Sequence, residues 1–222
     1  MNFLNTFLFI VLPYMAVFVF LVGTVYRYRT SKFSFSSLSS QFLENEKLFY
    51  GSQAFHWGLV ILFFGHLAGF LFPKIIISLS SQPLNILIIE ITALIAGFLT
   101  LTGMIALIIR RIFNSRLRKL SSTMDWILES VLLFEILFGI AIAFSHRWGS
   151  AWFAAVLTPY LKSIFILNPN IQAVSAVPWM IKVHITGFYL LLILFPFTRL
   201  VHVLIYPVRY IWRPFQRVIW YH

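Results

Sequence analysis

Four histidines, His56, His66, His184 and His202, lie inside apolar stretches of the chain. The first two are ten residues apart on one stretch, and the other two are eighteen apart on another. An ionisable side chain within a membrane span marks a functional site by default, and imidazole is the commonest metal ligand. Two such residues on each of two helices suit two metal centres, each closed by one histidine from each helix. Axial clamping of a haem iron between two membrane helices is the chemistry that fits this pattern.

The rest of the composition places these residues in a bilayer. Hydrophobic residues make up 60% of the 222 residues and charged ones only 10%. Soluble domains carry roughly a quarter charged residues, so this chain has too few charges to coat a water-facing surface. The net charge of +11 does not point to nucleic acid, because the basic residues cluster just beyond the ends of apolar stretches. With no cysteine, the chain makes no disulfide, thiolate zinc site or iron–sulfur cluster of its own. It also lacks the CxxCH run that attaches haem covalently, so any haem is of b type. The N-terminus has neither a basic leader nor a small-residue cleavage site and is expected to be a retained span.

A bilayer-crossing helix needs about 20 apolar residues. Five stretches qualify, at about 3–25, 52–72, 84–109, 125–145 and 178–204, which predicts an all-α membrane protein built as one five-helix bundle over residues 1–222. Twelve basic residues fall on one side, in the first and third connections and in the tail 205–222: Arg27, Arg29, Lys32, Lys47, Arg110, Arg111, Arg116, Arg118, Lys119, Arg209, Arg213 and Arg217. This bias predicts an outside N-terminus and a cytoplasmic C-terminus. Residues 150–167 carry one apolar stripe through Trp152, Phe153, Val156, Leu157, Tyr160, Leu161, Ile164 and Phe165, with Pro159 and Lys162 off it. They are expected to lie on the outer face as an interfacial helix.

This topology sets the pairing. The second and fifth spans run in opposite directions, so His66 meets His184 near the outside and His56 meets His202 near the inside. At 1.5 Å per residue the two spacings are about 15 and 27 Å, which puts the centres roughly 20 Å apart. Eighteen residues make five whole turns, so His184 and His202 share a face, while His56 and His66 differ by some 80°. Gly58, Gly65, Ala68, Gly69 and Gly187 offer room for a flat cofactor or, alternatively, for close helix packing. Arg199, one turn before His202, is placed to support a haem propionate, with Arg110 and Arg111 as weaker candidates. The tail mixes arginine with Trp212, Phe215, Trp220 and Tyr221, as protein interfaces do, or it lies on anionic lipid.

The chain resembles the gamma subunit of respiratory nitrate reductase, a di-haem cytochrome b. The likeness covers essentially the full length. It rests on FLNTFLFIVLPY, GTVYRYR, the ligand helix FHWGLVILFFGHLAGFLFP, RRIFNSRLR and the ligand helix KVHITGFYLLLILFPFTRLVHVLIYPVRY. The resemblance implies an outer, distal haem on His66 and His184 and an inner, proximal haem on His56 and His202. It also implies quinol oxidation beside Gly65, His66 and Gly69, the cytoplasmic membrane as location, and two cytoplasmic partners: an iron–sulfur beta subunit and a molybdenum-containing alpha subunit. The family's quinol-site lysine is missing from the aligned SLSSQPLNILI, and either Lys74, earlier in the same connection, or a neutral residue is expected to take its role. The same di-haem module could also serve a heterodisulfide-type or sulfite-type complex, or deliver electrons to quinone. A transporter or channel is disfavoured because the sequence has no internal repeat and no pair of broken helices.

Overall fold

The computed structural model describes residues 3–30 and 46–204. The expected tail 205–222 and most of the first connection, including Lys32, lie outside them. Among the described residues the chain is helical, without strands, and five helices are long and apolar enough to cross a membrane. These are α1 (Phe3–Thr30), α2 (Glu46–Leu71), α4 (Pro83–Phe113), α6 (Thr123–Ser145) and the segment Trp179–Phe197. Short helices α3 (Pro73–Ser80) and α5 (Ser115–Leu120) join them. A bent helix α7 spans 149–165, and α8 (Gln172–Ala176) precedes α9 (Trp179–Leu194), the helical body of the last span.

Local chemistry sets the boundaries. Pro73 and Pro83 open their helices, where a missing N–H costs nothing. Asn114 caps α5 by accepting from the N–H groups of Arg116 and Leu117. Ser122 and Asp125 form a reciprocal capping box at the start of α6. The α3 helix was not expected, and the fifth span departs from the expected continuous helix over 178–204. Its α-helix stops at Leu194, and 3-10 turns at Phe195–Phe197 and Arg199–Leu204 follow. Pro196 explains the break, because its ring displaces the carbonyl four residues back and it donates no hydrogen bond. The five-turn argument for a shared face of His184 and His202 therefore does not hold.

In packing order the spans run α2, α4, α6, α9, α1. The two histidine-bearing helices, α2 and α9, are not principal neighbours; α4 and α6 bridge them. The α2–α4 contact is a seam of small residues. A Cβ on Gly58 would meet the Ala96 carbonyl oxygen at 2.6 Å, and one on Gly103 would meet the Gly51 oxygen at 2.8 Å. Large apolar side chains such as Phe18, Ile95 and Phe144 are exposed around the bundle, as a lipid solvent allows.

Helix α7 packs one side firmly against the bundle. Ala154, Leu157, Thr158, Tyr160, Ser163 and Ile164 are buried, while Pro159 and Lys162 are exposed as expected. Two of its contacts repair breaks made by prolines. Pro13 has no N–H for the carbonyl of Phe9, and α1 widens there into a π turn over Phe7–Val11. The Tyr160 hydroxyl donates to that carbonyl at 3.0 Å. Pro73 likewise has none for the carbonyl of Gly69, and Thr158 Oγ1 donates to it at 3.1 Å. Tyr160 also pairs with the Tyr189 hydroxyl at 2.9 Å, and burial pushes its phenol up from the ordinary value.

Candidate functional site

His56 and His66 stand on α2, His184 on α9 and His202 in the 3-10 turn Arg199–Leu204 that follows it. The rings of His56 and His202 meet edge-on, with centroids 6.2 Å apart and planes 73° apart. His66 and His184 lie toward the other end of the same two spans. Three of the rings are oriented the same way. His56 Nδ1 lies 2.7 Å from the Ser52 carbonyl oxygen, His66 Nδ1 lies 2.8 Å from that of Leu62, and His202 Nδ1 contacts that of Arg199. A carbonyl oxygen only accepts, so each Nδ1 carries the proton and each Nε2 keeps its lone pair. His184 differs, because its Nδ1 lies 2.9 Å from Glu135 Oε2 on α6. That contact is close in distance but not aligned as a hydrogen bond, and Glu135 Oε1 is also buried without a hydrogen-bond partner.

The glycines divide into distinct roles. Gly58 belongs to the α2–α4 seam, not to an open wall. Gly69 packs under the Phe153 ring, whose carbons would lie 2.8 Å from an added Cβ. Gly187 gives its Cβ space to the Glu135 carboxyl. Around Gly65 nothing lies within 4 Å of an added Cβ, so the helix wall beside His66 is open. Phe153, in the π turn of α7, sets its ring edge-on to His66 at 5.5 Å. Lys74 stands exposed in the first turn of α3, just beyond the His66 helix.

At the His56–His202 end the expected arginines have carboxylate partners that the sequence reading did not include. Arg199 Nε lies 3.0 Å from Asp125 Oδ1. Arg111 lies 3.0 Å from Glu129 and 3.9 Å from Asp125, and its guanidinium sits 5.7 Å over the Trp126 ring. Arg110 is next to it in the last turn of α4. Asp125, Glu129 and Glu135 were missed, although an acidic residue in an apolar stretch is the same signal that singled out the histidines.

Five spans long and apolar enough to cross a membrane, with histidines and carboxylates among them, define an all-α, multi-pass integral membrane protein. The chain matches the family described as Nitrate reductase gamma subunit over residues 5–221. It is 34% identical to the nitrate reductase gamma chain of Bacillus subtilis, over 92% of this chain and 93% of that one. It is 32% identical to the respiratory nitrate reductase 2 gamma chain of Escherichia coli, over 98% and 97% respectively. The chain belongs to the nitrate reductase gamma subunit family. It is a membrane-anchoring subunit of a multi-subunit oxidoreductase.

Proposed function

We propose that this chain oxidises a membrane quinol and sends the electrons to cytoplasmic partner subunits, with two b haems held by His56 with His202 and by His66 with His184. The observation that carries this reading is the shared Nδ1 orientation of His56, His66 and His202. Backbone acceptors on Nδ1 leave Nε2 as a ligand, the arrangement metal-binding histidines adopt. The donor set fits the group. Two metal–imidazole bonds of about 2.0 Å and two ring half-widths of about 1.1 Å add to nearly the 6.2 Å between His56 and His202. When bound, the haems supply one-electron carriage between quinol and an iron–sulfur partner.

The chain's own residues do the rest. The four histidines would supply the iron ligands, and helix carbonyls fix the rings of His56, His66 and His202. Arg199, with Arg111 and Arg110, brings positive charge toward haem propionates at the His56 end, and Asp125 and Glu129 hold the first two in place. Gly65 leaves the wall beside His66 open, so a long-tailed quinol can approach sideways from lipid. Gly69 and Phe153 close the roof of that site, and Lys74 is a hydrogen-bond donor near it. The basic bias places the N-terminus outside and the C-terminus in the cytoplasm. Quinol protons then leave outward from the His66–His184 end while electrons move inward, which separates charge across the cytoplasmic membrane. The cytoplasmic face docks an iron–sulfur beta subunit, which connects to a molybdenum-containing alpha subunit.

The test is binding of a quinol analogue to the complex during redox titration. It should shift the midpoint potential of the haem lost in His66→Ala and leave the other unchanged. A shift confined to the haem lost in His56→Ala would put the quinol site at the opposite face and overturn the proton release.

A further inference from the structure

The two histidine pairs differ in one respect. His56, His66 and His202 direct Nδ1 at carbonyls of their own helices. His184 directs it at the carboxyl of Glu135, on a neighbouring span. Glu135 is 8% exposed and sits midway along an apolar helix, where a carboxyl is costly unless something holds it. The fold makes room for it: Gly187, one near-turn after His184, leaves the space a Cβ would fill to the carboxyl. Gly139, one turn after Glu135, lets the imidazole pack against α6, with His184 Cε1 3.4 Å from where its Cβ would be. His184 Nδ1 and Glu135 Oε2 are 2.9 Å apart, within hydrogen-bond distance.

We infer that Glu135 is a positioning residue for His184, and that its carboxylate makes this imidazole a stronger donor to iron than the three ligands held by neutral carbonyls. The inference rests on the haem reading above. A carboxylate accepting from Nδ1–H raises the basicity of Nε2, and a more basic ligand favours ferric over ferrous iron. Glu135 therefore holds the haem of His66 and His184 at a lower potential than that ligand pair alone would give. The other haem, whose ligands have no such partner, is not affected.

The experiment uses the whole complex and three variants, Glu135→Gln, Glu135→Ala and Gly187→Ala. Glu135→Gln keeps the shape and an acceptor oxygen but removes the charge. It should retain two b haems by visible spectrum and raise the midpoint of the His66–His184 haem by at least tenfold in its reduction equilibrium, about 59 mV for one electron. The other midpoint should stay in place. Gly187→Ala displaces the carboxyl without changing it and should raise the same midpoint. Glu135→Ala should also broaden the low-spin ferric EPR signal of that haem, because the ring loses its anchor. If both haems are present and neither midpoint moves in Glu135→Gln and Gly187→Ala, the inference is overturned and the haem reading stands. Equal movement of both midpoints also overturns it, because the effect is then not through His184. If the wild-type complex lacks two b haems, the underlying reading fails first.

Discussion

The glycines of α2 give a prediction whose sign changes within seven residues. Gly58 and Gly65 are both helical, so alanine gains about 1 kcal/mol of helix propensity at either. The surroundings decide the outcome. At Gly65 the added methyl meets nothing within 4 Å, and Gly65→Ala should keep the whole gain, raising Tm by about 2–4 °C in a chain of this size. At Gly58 the methyl meets the Ala96 oxygen at 2.6 Å and the Thr100 nitrogen at 2.8 Å. These are backbone atoms that cannot rotate away, so the overpacking cost stands near the upper end of about 1–3 kcal/mol. After the propensity gain the net loss is about 2 kcal/mol, a fall of about 4–8 °C. Function should move the other way at Gly65. Gly65→Leu fills the open wall beside His66 and should slow haem reduction by quinol at least tenfold, about 1.4 kcal/mol of barrier, with both haems retained. Thermal melts of the purified complex, a haem count by absorbance and stopped-flow reduction by quinol read all three. Wild-type reduction in Gly65→Leu would show that the open wall is not where quinol approaches, and a Gly65→Ala protein less stable than wild type would refute the packing argument.

The other predictions concern ligands and buried polar groups. His66→Ala and His184→Ala should each lose one haem, and His56→Ala and His202→Ala the other; loss of the same haem from His66→Ala and His56→Ala would break the pairing. Asp125→Asn removes the charge facing Arg199 and Arg111 and should destabilise by about 1.5–3 kcal/mol, the range for hydrogen bonds to charged groups. A Tm within 1 °C of wild type would place that cluster outside the folding energetics. Tyr160→Phe leaves the Phe9 carbonyl and the Tyr189 hydroxyl without their buried partner. It should cost about 2–3 kcal/mol with both haem spectra intact, and an unchanged unfolding midpoint would mean that water or rearrangement replaces the hydroxyl.

The spans were legible because the bilayer imposes a length and a polarity that no other solvent does. The errors arise where proline changes the hydrogen bonding inside that frame. Pro196 was visible in the sequence, and its rule against helix interiors outweighed the unbroken apolar run. Pro73 opened a short helix, Pro73–Ser80, too brief for the length rule that identified the spans. The stripe on 150–167 identified Pro159 and Lys162 as outward-facing but could not assign Thr158, Ser163 or the Tyr160 hydroxyl. Two of these answer carbonyls freed by Pro13 and Pro73, about 150 and 90 residues away in sequence. The partners of such groups are set by tertiary contact and leave no periodic signal.

At the site the sequence was informative about residues that are expensive in lipid and uninformative about small ones. A histidine in an apolar span has few innocent explanations, so four of them carried the pairing. Glu135 met the same criterion and was equally visible; the chemistry of metal ligation drew the reading to imidazoles and past the carboxyl. Glycine behaves in the opposite way. Gly58 closes a helix seam, Gly69 seats a phenyl ring, Gly187 makes room for a carboxyl and Gly65 borders open space, yet their sequence contexts are nearly alike. What separates them is the atom on the other side, which only the packing order of the helices supplies. The second ring nitrogens illustrate the same limit. Spacing alone could single out His184, but it could not show that this one of the four histidines is backed by a side chain from another helix. That cross-helix contact is what sets His184 apart from the three histidines whose Nδ1 atoms meet carbonyls of their own helices.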